Sequence, residues 1–129
     1  MKETEIKVLK LEPKKAPEVV MLKNELRELQ KAVSIGASDV GLIEIIELNS
    51  DVCVLCNEEG KLLGLEPNRT LGRDILCGVF YLTGQDYNQG NLASLPEHLI
   101  EYYSKQFAIP DDISKDEVDK ALLTGFYVL

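Results

Sequence analysis

The chain of 129 residues contains no tryptophan, a single histidine and three cysteines. Histidine and cysteine supply many general bases, nucleophiles and zinc ligands, so the usual residues of catalysis and metal binding are scarce. Three is also an odd number of cysteines in a chain long enough to bury a core, which favours reduced, buried thiols over a disulfide framework. The composition indicates neither an enzyme nor a disulfide-stapled secreted domain.

The chain also lacks an apolar run of the roughly 20 residues that a membrane-spanning helix needs. Its densest apolar stretch, residues 42–56, is interrupted by acidic and polar side chains. The first residues are charged rather than apolar, so we expect no secretory signal, a cytoplasmic location and no contact with a membrane. Internal repeats and Gly/Ser-rich linkers are missing as well, so we expect residues 1–129 to form a single domain.

Basic residues are outnumbered, because 14 lysines and arginines face 22 aspartates and glutamates, for a net charge of −8 at pH 7. A protein that binds nucleic acid by neutralising phosphates needs the opposite balance, so we expect no direct binding of that kind. The acidity is uneven: residues 1–31 hold eight bases and six acids, whereas residues 32–129 hold six bases and sixteen acids. A partner attracted by charge should therefore meet residues beyond 31.

Hydrophobic periodicity predicts an α+β fold with a mostly antiparallel sheet of about five strands and about three helices. Strands are predicted at residues 5–11 and 19–21, followed by a helix over residues 24–33 with Asn24 as N-cap. The apolar runs on either side of residues 49–51 predict a hairpin, whose second arm is apolar on both faces and should lie centrally in the sheet.

In the second half of the chain, residues 62–65 predict a further strand that ends at residues 67–69. Residues 75–82 predict one strand with two apolar faces, and residues 84–93 predict a polar loop.

The last two helices are predicted from capping patterns. Ser94 and Glu97 form a capping box ahead of a helix that Pro110 stops, and Ser114 repeats the pattern before a short final helix. The apolar end, residues 126–129, is predicted to dock as an edge strand or on a partner.

The sequence gives little support for a catalytic or metal-binding motif. The Cys-x-x-Cys pair at residues 53–56 lies in a strand-like run, which places residues three apart on opposite faces, and Cys77 and His98 add no zinc spacing. Residues 86–97 imitate a calcium loop, but the sixth position is Asn91 where the sharp turn needs glycine. Glycine-rich phosphate loops are absent. We expect no catalytic site, no metal and no cofactor.

Packing explains least the segment of residues 66–69 together with Asp74, and Asn68, Arg69 and Asp74 from it join Asn57 as four polar residues of interest. Arg69 is one of three arginines and offers a planar guanidinium fork to a carboxylate or phosphate, so the four residues are candidate ligand-binding residues. The structural alternative is that Arg69 pairs with Asp74 or Glu66 and pins a loop.

The central block of the chain resembles a known family. The run CNEEGKLLGLEPNR at residues 56–69, followed by residues 74–80 and the helix start at Ser94, resembles a bacterial and phage family known as domain of unknown function 3846. The resemblance covers about residues 6–107, and residues 108–129 look like an addition to the family pattern. The more specific positions are Asn57, Gly60, Leu63, Pro67, Asn68 and Arg69.

This resemblance implies no activity, substrate or catalytic residue, because none is established for the family. Its members often look like cargo of phages and conjugative elements, which implies an accessory role that works by binding a host protein. Our leading hypothesis is a small, non-enzymatic, cytoplasmic module whose partner is another protein. The alternatives are a small-molecule or phosphate pocket around Asn57, Asn68 and Arg69, and a weak acidic mimic of nucleic acid. The oligomeric state stays open.

Overall fold

The computed structural model describes residues 3–72, 74–86 and 90–127, with side chains up to residue 122. Eight strands and three helices form in these residues. In chain order they are β1 (Glu5–Leu11), β2 (Glu18–Lys23), α1 (Leu26–Ala32), β3 (Ile43–Glu47), β4 (Cys53–Asn57), β5 (Pro67–Leu71), β6 (Asp74–Cys77), β7 (Phe80–Asp86), β8 (Asn91–Ala93), α2 (Glu97–Gln106) and α3 (Lys115–Tyr127).

The main sheet runs in the order β2-β1-β7-β4-β3, and β8 pairs with the far end of β7. β5 and β6 form a separate two-stranded sheet, and every pairing in the described residues is antiparallel. β4 lies between β7 and β3 with all five residues buried, as its two apolar faces predicted. The predicted α+β class with a mostly antiparallel sheet and three helices is confirmed.

Helices cover both faces of the main sheet, which is why its central strands are apolar on both sides. On one face, Leu29 of α1 and Val33 just after it pack against β1, β4 and β7. On the other face, Ile100 of α2 and Leu95 before it pack against the same three strands. Val118 of α3 joins a third, smaller cluster beside β6.

The region between β4 and α2 differs from the prediction in three places. Residues 62–65 form a turn, and residues 67–71 form strand β5 where a strand end was expected. The apolar run 75–82 is divided into β6 and β7 at Gly78, whose φ of +82° favours a residue without a Cβ. The predicted loop 84–93 contains the end of β7 and all of β8.

The predicted caps at Asn24 and Ser94 are wrong, because both side chains bind distant segments. The amide of Asn24 donates to the carbonyl oxygens of Glu3 and Leu92, and α1 has no side-chain cap. The hydroxyl of Ser94 accepts a hydrogen bond from the backbone N–H of Lys7 at 2.9 Å. The local sequence pattern predicted that these polar side chains cap helices, but they form tertiary hydrogen bonds instead.

At the C-terminal end, the predicted cap at Ser114 is confirmed, because its Oγ accepts a hydrogen bond from the N–H of Glu117 at 3.2 Å. α3 continues to Tyr127, so residues 126–127 are helical and the predicted edge strand does not form there. Residues 128–129 lie outside the described residues. None of the helices found in the described ranges is long and apolar enough to cross a membrane.

Thr83 on β7 is fully buried, and its hydroxyl has no hydrogen-bond partner among the described residues. An unsatisfied buried polar group costs about 1–3 kcal/mol. We therefore expect Thr83→Val, which exchanges the hydroxyl for a methyl group, to raise the free energy of unfolding by about 1 kcal/mol in urea denaturation. The matched variant Thr70→Val, at an exposed strand position, should change it by less than about 0.5 kcal/mol. A loss of stability in Thr83→Val contradicts this assignment.

Candidate functional site

Arg69 on β5 is fully buried and makes hydrogen bonds to three separate parts of the chain. Its guanidinium donates to the carbonyl oxygens of Lys15 at 2.6 Å and Phe107 at 3.0 Å, and more weakly to that of Glu12 at 3.4 Å. It also donates to Oδ1 of Asn68 at 2.7 Å. We call Asn68 and Arg69 the clasp, because they join β5 to the β1–β2 connection and to the end of α2.

The predicted pairing of Arg69 with Asp74 or Glu66 is wrong. Asp74 pairs with Lys61, and Glu66 pairs with Lys14 at 3.0 Å. Burial lowers the pKa of the Arg69 guanidinium, because a low-dielectric site disfavours the charged form. The arginine is therefore held by carbonyl oxygens in place of a direct ion pair.

Asn68 completes the clasp from within the same strand. Its amide Nδ2 donates to the carbonyl oxygens of Leu11 and Gly78, both at 2.8 Å. These contacts fix the end of β1 against the bend between β6 and β7. A fully buried amide with these partners has a structural role.

Asn57 at the end of β4 connects three segments. Its Nδ2 donates to the carbonyl oxygen of Val33 at 3.3 Å and lies 3.5 Å from Oγ of Ser34. Its Oδ1 accepts a hydrogen bond from the backbone N–H of Glu59 at 2.9 Å. The side chain therefore ties β4 to the end of α1 and starts the turn that follows β4.

Of the four predicted ligand-binding residues, Asn57 and Asp74 line a common cleft of about 160 Å³, and the clasp residues are not part of its lining. Lys61 lines the same cleft and pairs with Asp74. The four residues therefore divide between a buried clasp and a small cleft. Their role in binding a ligand stays a prediction.

The cleft also contains two buried thiols, those of Cys56 and Cys77. Burial, together with the carboxylate of Glu44, raises the pKa of Cys56 to about 12, and burial also raises the pKa values of Cys77 and Cys53. Such thiols stay protonated at neutral pH and are poor nucleophiles and metal ligands. The predicted buried, reduced cysteines are confirmed. In the part of the chain that the structure describes, no group of three His, Cys, Asp or Glu residues is placed to hold a metal ion.

A larger surface feature was not predicted from the sequence. Two adjoining depressions of about 490 and 460 Å³ share Gly36 and Leu63, and we call them together the groove. Its walls are the β1–β2 connection, residues 35–41 after α1, and residues 59–66 after β4. Gly36, with φ of +90°, turns the chain away from α1 and into the groove wall.

Apolar side chains line the groove and remain open to solvent. Ile35, Val40 and Leu63 are 48%, 56% and 48% exposed. Five of the eleven large apolar side chains that are exposed in the described residues lie in residues 35–42 and 62–63. Exposed apolar residues that cluster, in contrast to scattered ones, mark interaction surfaces. No motif or periodicity could have found this cluster, because its two segments are separated by a hairpin.

The groove is also acidic. Residues 32–60 contain six acidic residues and no lysine or arginine. Asp39 and Glu59 line the groove, and the exposed Glu58 precedes Glu59 in the chain. Within the described residues, no base forms an ion pair with any of these three carboxylates. No described lysine or arginine therefore neutralises their charge.

Comparison with known families agrees with the central block of the sequence. The model of the family described as "Domain of unknown function (DUF3846)" matches residues 6–108. The chain belongs to this family. The resemblance seen around residues 56–80 is thereby confirmed, and α3 lies beyond the part that the DUF3846 model matches. Comparison with curated proteins finds no match, and comparison with solved structures finds none either.

The clasp predicts a large effect of Arg69 on stability. Arg69→Met removes the donors to the carbonyl oxygens of Lys15 and Phe107, so we expect the free energy of unfolding to fall by about 2–4 kcal/mol. Arg69→Lys, which keeps the charge but loses the fork, should give an intermediate loss. Arg27→Met, at an exposed position of α1, is the control and should cost less than about 0.5 kcal/mol. An Arg69→Met protein as stable as the Arg27→Met protein contradicts the structural role.

The buried thiol predicts a loss of stability at alkaline pH. Cys56 keeps its proton in the folded chain up to a pKa of about 12, whereas the unfolded thiol loses it near pH 8.5. The folded state thus binds more protons in this range, and the free energy of unfolding should fall by about 1.4 kcal/mol per pH unit for such a group. In urea denaturation between these pH values, Cys56→Ala should make the free energy of unfolding fall less steeply with pH. Leu76→Ala, a buried neighbour that does not titrate, should leave the slope unchanged, and equal slopes in both variants contradict the assignment.

Proposed function

We propose that this protein is a binding module for another protein and that the groove is its recognition surface. The observation that carries the proposal is that one groove combines exposed Val40 and Leu63 with the carboxylates of Asp39 and Glu59, which no described base pairs. An apolar side chain of the partner removes Val40 and Leu63 from water, and a neighbouring lysine or arginine meets the carboxylates. The partner segment therefore carries an apolar residue next to a basic one.

The groove side chains alone support only weak binding. Burying a whole valine or leucine side chain contributes about 1.5–3 kcal/mol, so the half-exposed Ile35, Val40 and Leu63 contribute about 1 kcal/mol each. Rim ion pairs add about 0–1 kcal/mol. A micromolar complex needs about 8 kcal/mol, so a stable complex requires contacts beyond the groove.

The alternative of a small-molecule or phosphate site has less support. The cleft that holds Asn57 and Asp74, at about 160 Å³, is smaller than the roughly 300–1,000 Å³ of typical ligand pockets. Glu58 and Glu59 also line the cleft, and Lys61, the one base among its described lining residues, is already paired with Asp74. A phosphate would meet more negative than positive charge there.

The remaining parts of the proposal depend on the sequence and on the resemblance. A non-enzymatic accessory role in a phage or conjugative element suits a DUF3846 chain without a recognisable catalytic motif, and we extend the proposal to a cytoplasmic location. Acidic mimicry of nucleic acid and binding in the groove both predict binding that depends on salt. Mimicry, however, requires no apolar contact. The Leu63 variant below separates the two.

Selection of a displayed library of random peptides on the immobilised protein should enrich sequences with an apolar residue beside lysine or arginine. Leu63→Asp and Val40→Asp should each lower the affinity for the selected peptides by about tenfold or more, measured by fluorescence anisotropy. A tenfold loss corresponds to about 1.4 kcal/mol of binding free energy. Ile109→Asp, at an apolar position 84% exposed and outside the groove, is the matched control and should bind normally. Thermal unfolding checks that all three variants fold.

The acidic rim is tested with the same peptides. Asp39→Asn combined with Glu59→Gln should weaken binding at low salt and have little effect at high salt, because exposed charges are screened. Binding that survives Leu63→Asp but is lost in the double variant supports acidic mimicry. A failure to enrich any peptide, or equal losses in Leu63→Asp and Ile109→Asp, rules out the groove.

A further inference from the structure

We propose that the open edge of β3 accepts an extended segment of the partner as an additional strand, with apolar side chains opposite Ile45 and lysine or arginine opposite Glu44. This inference rests on the proposed function, because it takes the partner to be a protein. It is carried by different atoms, namely the backbone groups at the edge of the main sheet.

The edge of β3 presents unpaired backbone groups. β3 pairs with β4 on one side, and no described strand pairs with its other side. At its two ends, the carbonyl oxygen of Leu42 accepts from the N–H of Glu58 at 3.0 Å, and the N–H of Leu48 donates to the carbonyl oxygen of Val52 at 2.9 Å. Hydrogen-bonded positions alternate along an antiparallel strand. The even-numbered residues therefore face β4, and the N–H and C=O groups of Ile45 point to the open edge.

Lysine, proline, a bulge and a covering strand, which protect many natural sheet edges, are missing from β3 among the described residues. Its charged residues are two glutamates, Glu44 and Glu47. Residues 43–47 contain neither lysine nor proline, and they pair with β4 at five consecutive positions without a register shift. Ile45 is 49% exposed. A strand added here forms backbone hydrogen bonds and covers Ile45, which supplies contacts that the groove lacks.

Charge selects the occupant of this edge. Glu44 and Glu47 lie on β3, within residues 32–60 that contain no base. A second copy paired through the same edge would bring these like charges together, which is unfavourable across a sheet. Among the described residues no lysine or arginine pairs with Glu44, so a cross-strand base is free to do so. The chemistry fits a strand of alternating apolar and basic residues.

The edge of β3 also continues into the groove. Val40 lines the groove, and Leu42, 60% exposed, lies between Val40 and the first residue of β3. An extended segment laid along β3 therefore reaches the groove after a few residues. Edge and groove form one continuous surface for a single partner segment.

The other open edge of the main sheet, β2, provides a matched control. The N–H of Asn24 donates to the carbonyl oxygen of Thr4 at 2.9 Å, so the alternation directs the backbone of Met21 outward in the same way. β2 carries Glu18 at one end and Lys23 at the other. It therefore has no net preference for a basic strand.

The experiment uses the full ¹⁵N-labelled chain and a capped peptide of alternating valine and lysine. We expect hydrogen exchange of the Ile45 amide to slow by about tenfold or more on saturation, with no change at Met21. Ile45→Pro removes an outward N–H without breaking a β3–β4 bond, and Met21→Pro does the same on β2. Ile45→Pro should lower the affinity for the peptide by about tenfold or more, and Met21→Pro should lower it by less than about twofold.

A second variant covers the case in which Ile45→Pro does not fold, which circular dichroism will show. Glu44→Gln keeps the strand and should weaken binding about threefold at low salt, with the difference disappearing at high salt. A peptide of alternating valine and glutamate should not bind. If it binds as well as the lysine peptide, the charge selection is overturned.

The other outcomes separate this inference from the groove proposal. If NMR chemical shifts change only at Val40 and Leu63 and the hydrogen exchange of the Ile45 amide is unchanged, the added strand is overturned. The groove then remains as the binding surface. Equal slowing at Ile45 and Met21 overturns the preference for β3. If the lysine peptide does not bind at all, the added strand is overturned, and the library selection alone decides on the groove.

Discussion

The buried guanidinium of Arg69 joins parts of the chain that no strand pairing connects. No described carboxylate forms an ion pair with it, and leaving a buried charge without compensation is costly. The carbonyl oxygens of Lys15 and Phe107 and the side chain of Asn68 provide that compensation. Phe107 ends α2, where the helix dipole is negative, so the position suits a cation. β5 can therefore satisfy Arg69 only when it lies against the β1–β2 connection and the end of α2 at the same time.

This constraint also explains why the groove is open. With β5 fixed, β6 follows as its partner, and the turn after β4 packs on β6 through backbone: a Cβ on Gly60 would lie 2.6 Å from the carbonyl oxygen of Cys77. The turn is thus held by a close backbone approach and by the Asn57 side chain, and Leu63 is not needed in the core. Leu63 can remain half-exposed facing Val40 because the fold does not depend on burying it.

The same contacts show what a single sequence could and could not predict. β1, the β3–β4 hairpin and the three helices were predicted, because periodicity and turn residues within each segment decide them. The secondary structure predicted for residues 62–71 was wrong, because the apolar residues there suit a turn and a strand equally. Contacts with Cys77 and with the β1–β2 connection decide which of the two forms. Asn57, Asn68 and Arg69 were singled out as candidate ligand-binding residues, and the structure shows them buried and bonded mainly to distant backbone atoms that no local pattern encodes. The groove was missed for the same reason, since its apolar and acidic residues come together only after the hairpin has formed.

The composition finally bears on how such a surface can bind. Protein interfaces usually concentrate their affinity in buried tryptophan, tyrosine and arginine. This chain has no tryptophan, Arg69 is committed to the clasp, and the groove offers aliphatic side chains that are half-exposed. In the proposed complex, charges on residues 32–60 steer a basic partner and improve specificity more than they add affinity. Backbone hydrogen bonds along an open strand edge do not depend on which side chains the module itself has. In the proposed complex, an edge next to an acidic groove therefore lets a module poor in anchoring residues bind a partner whose own side chains provide the anchors.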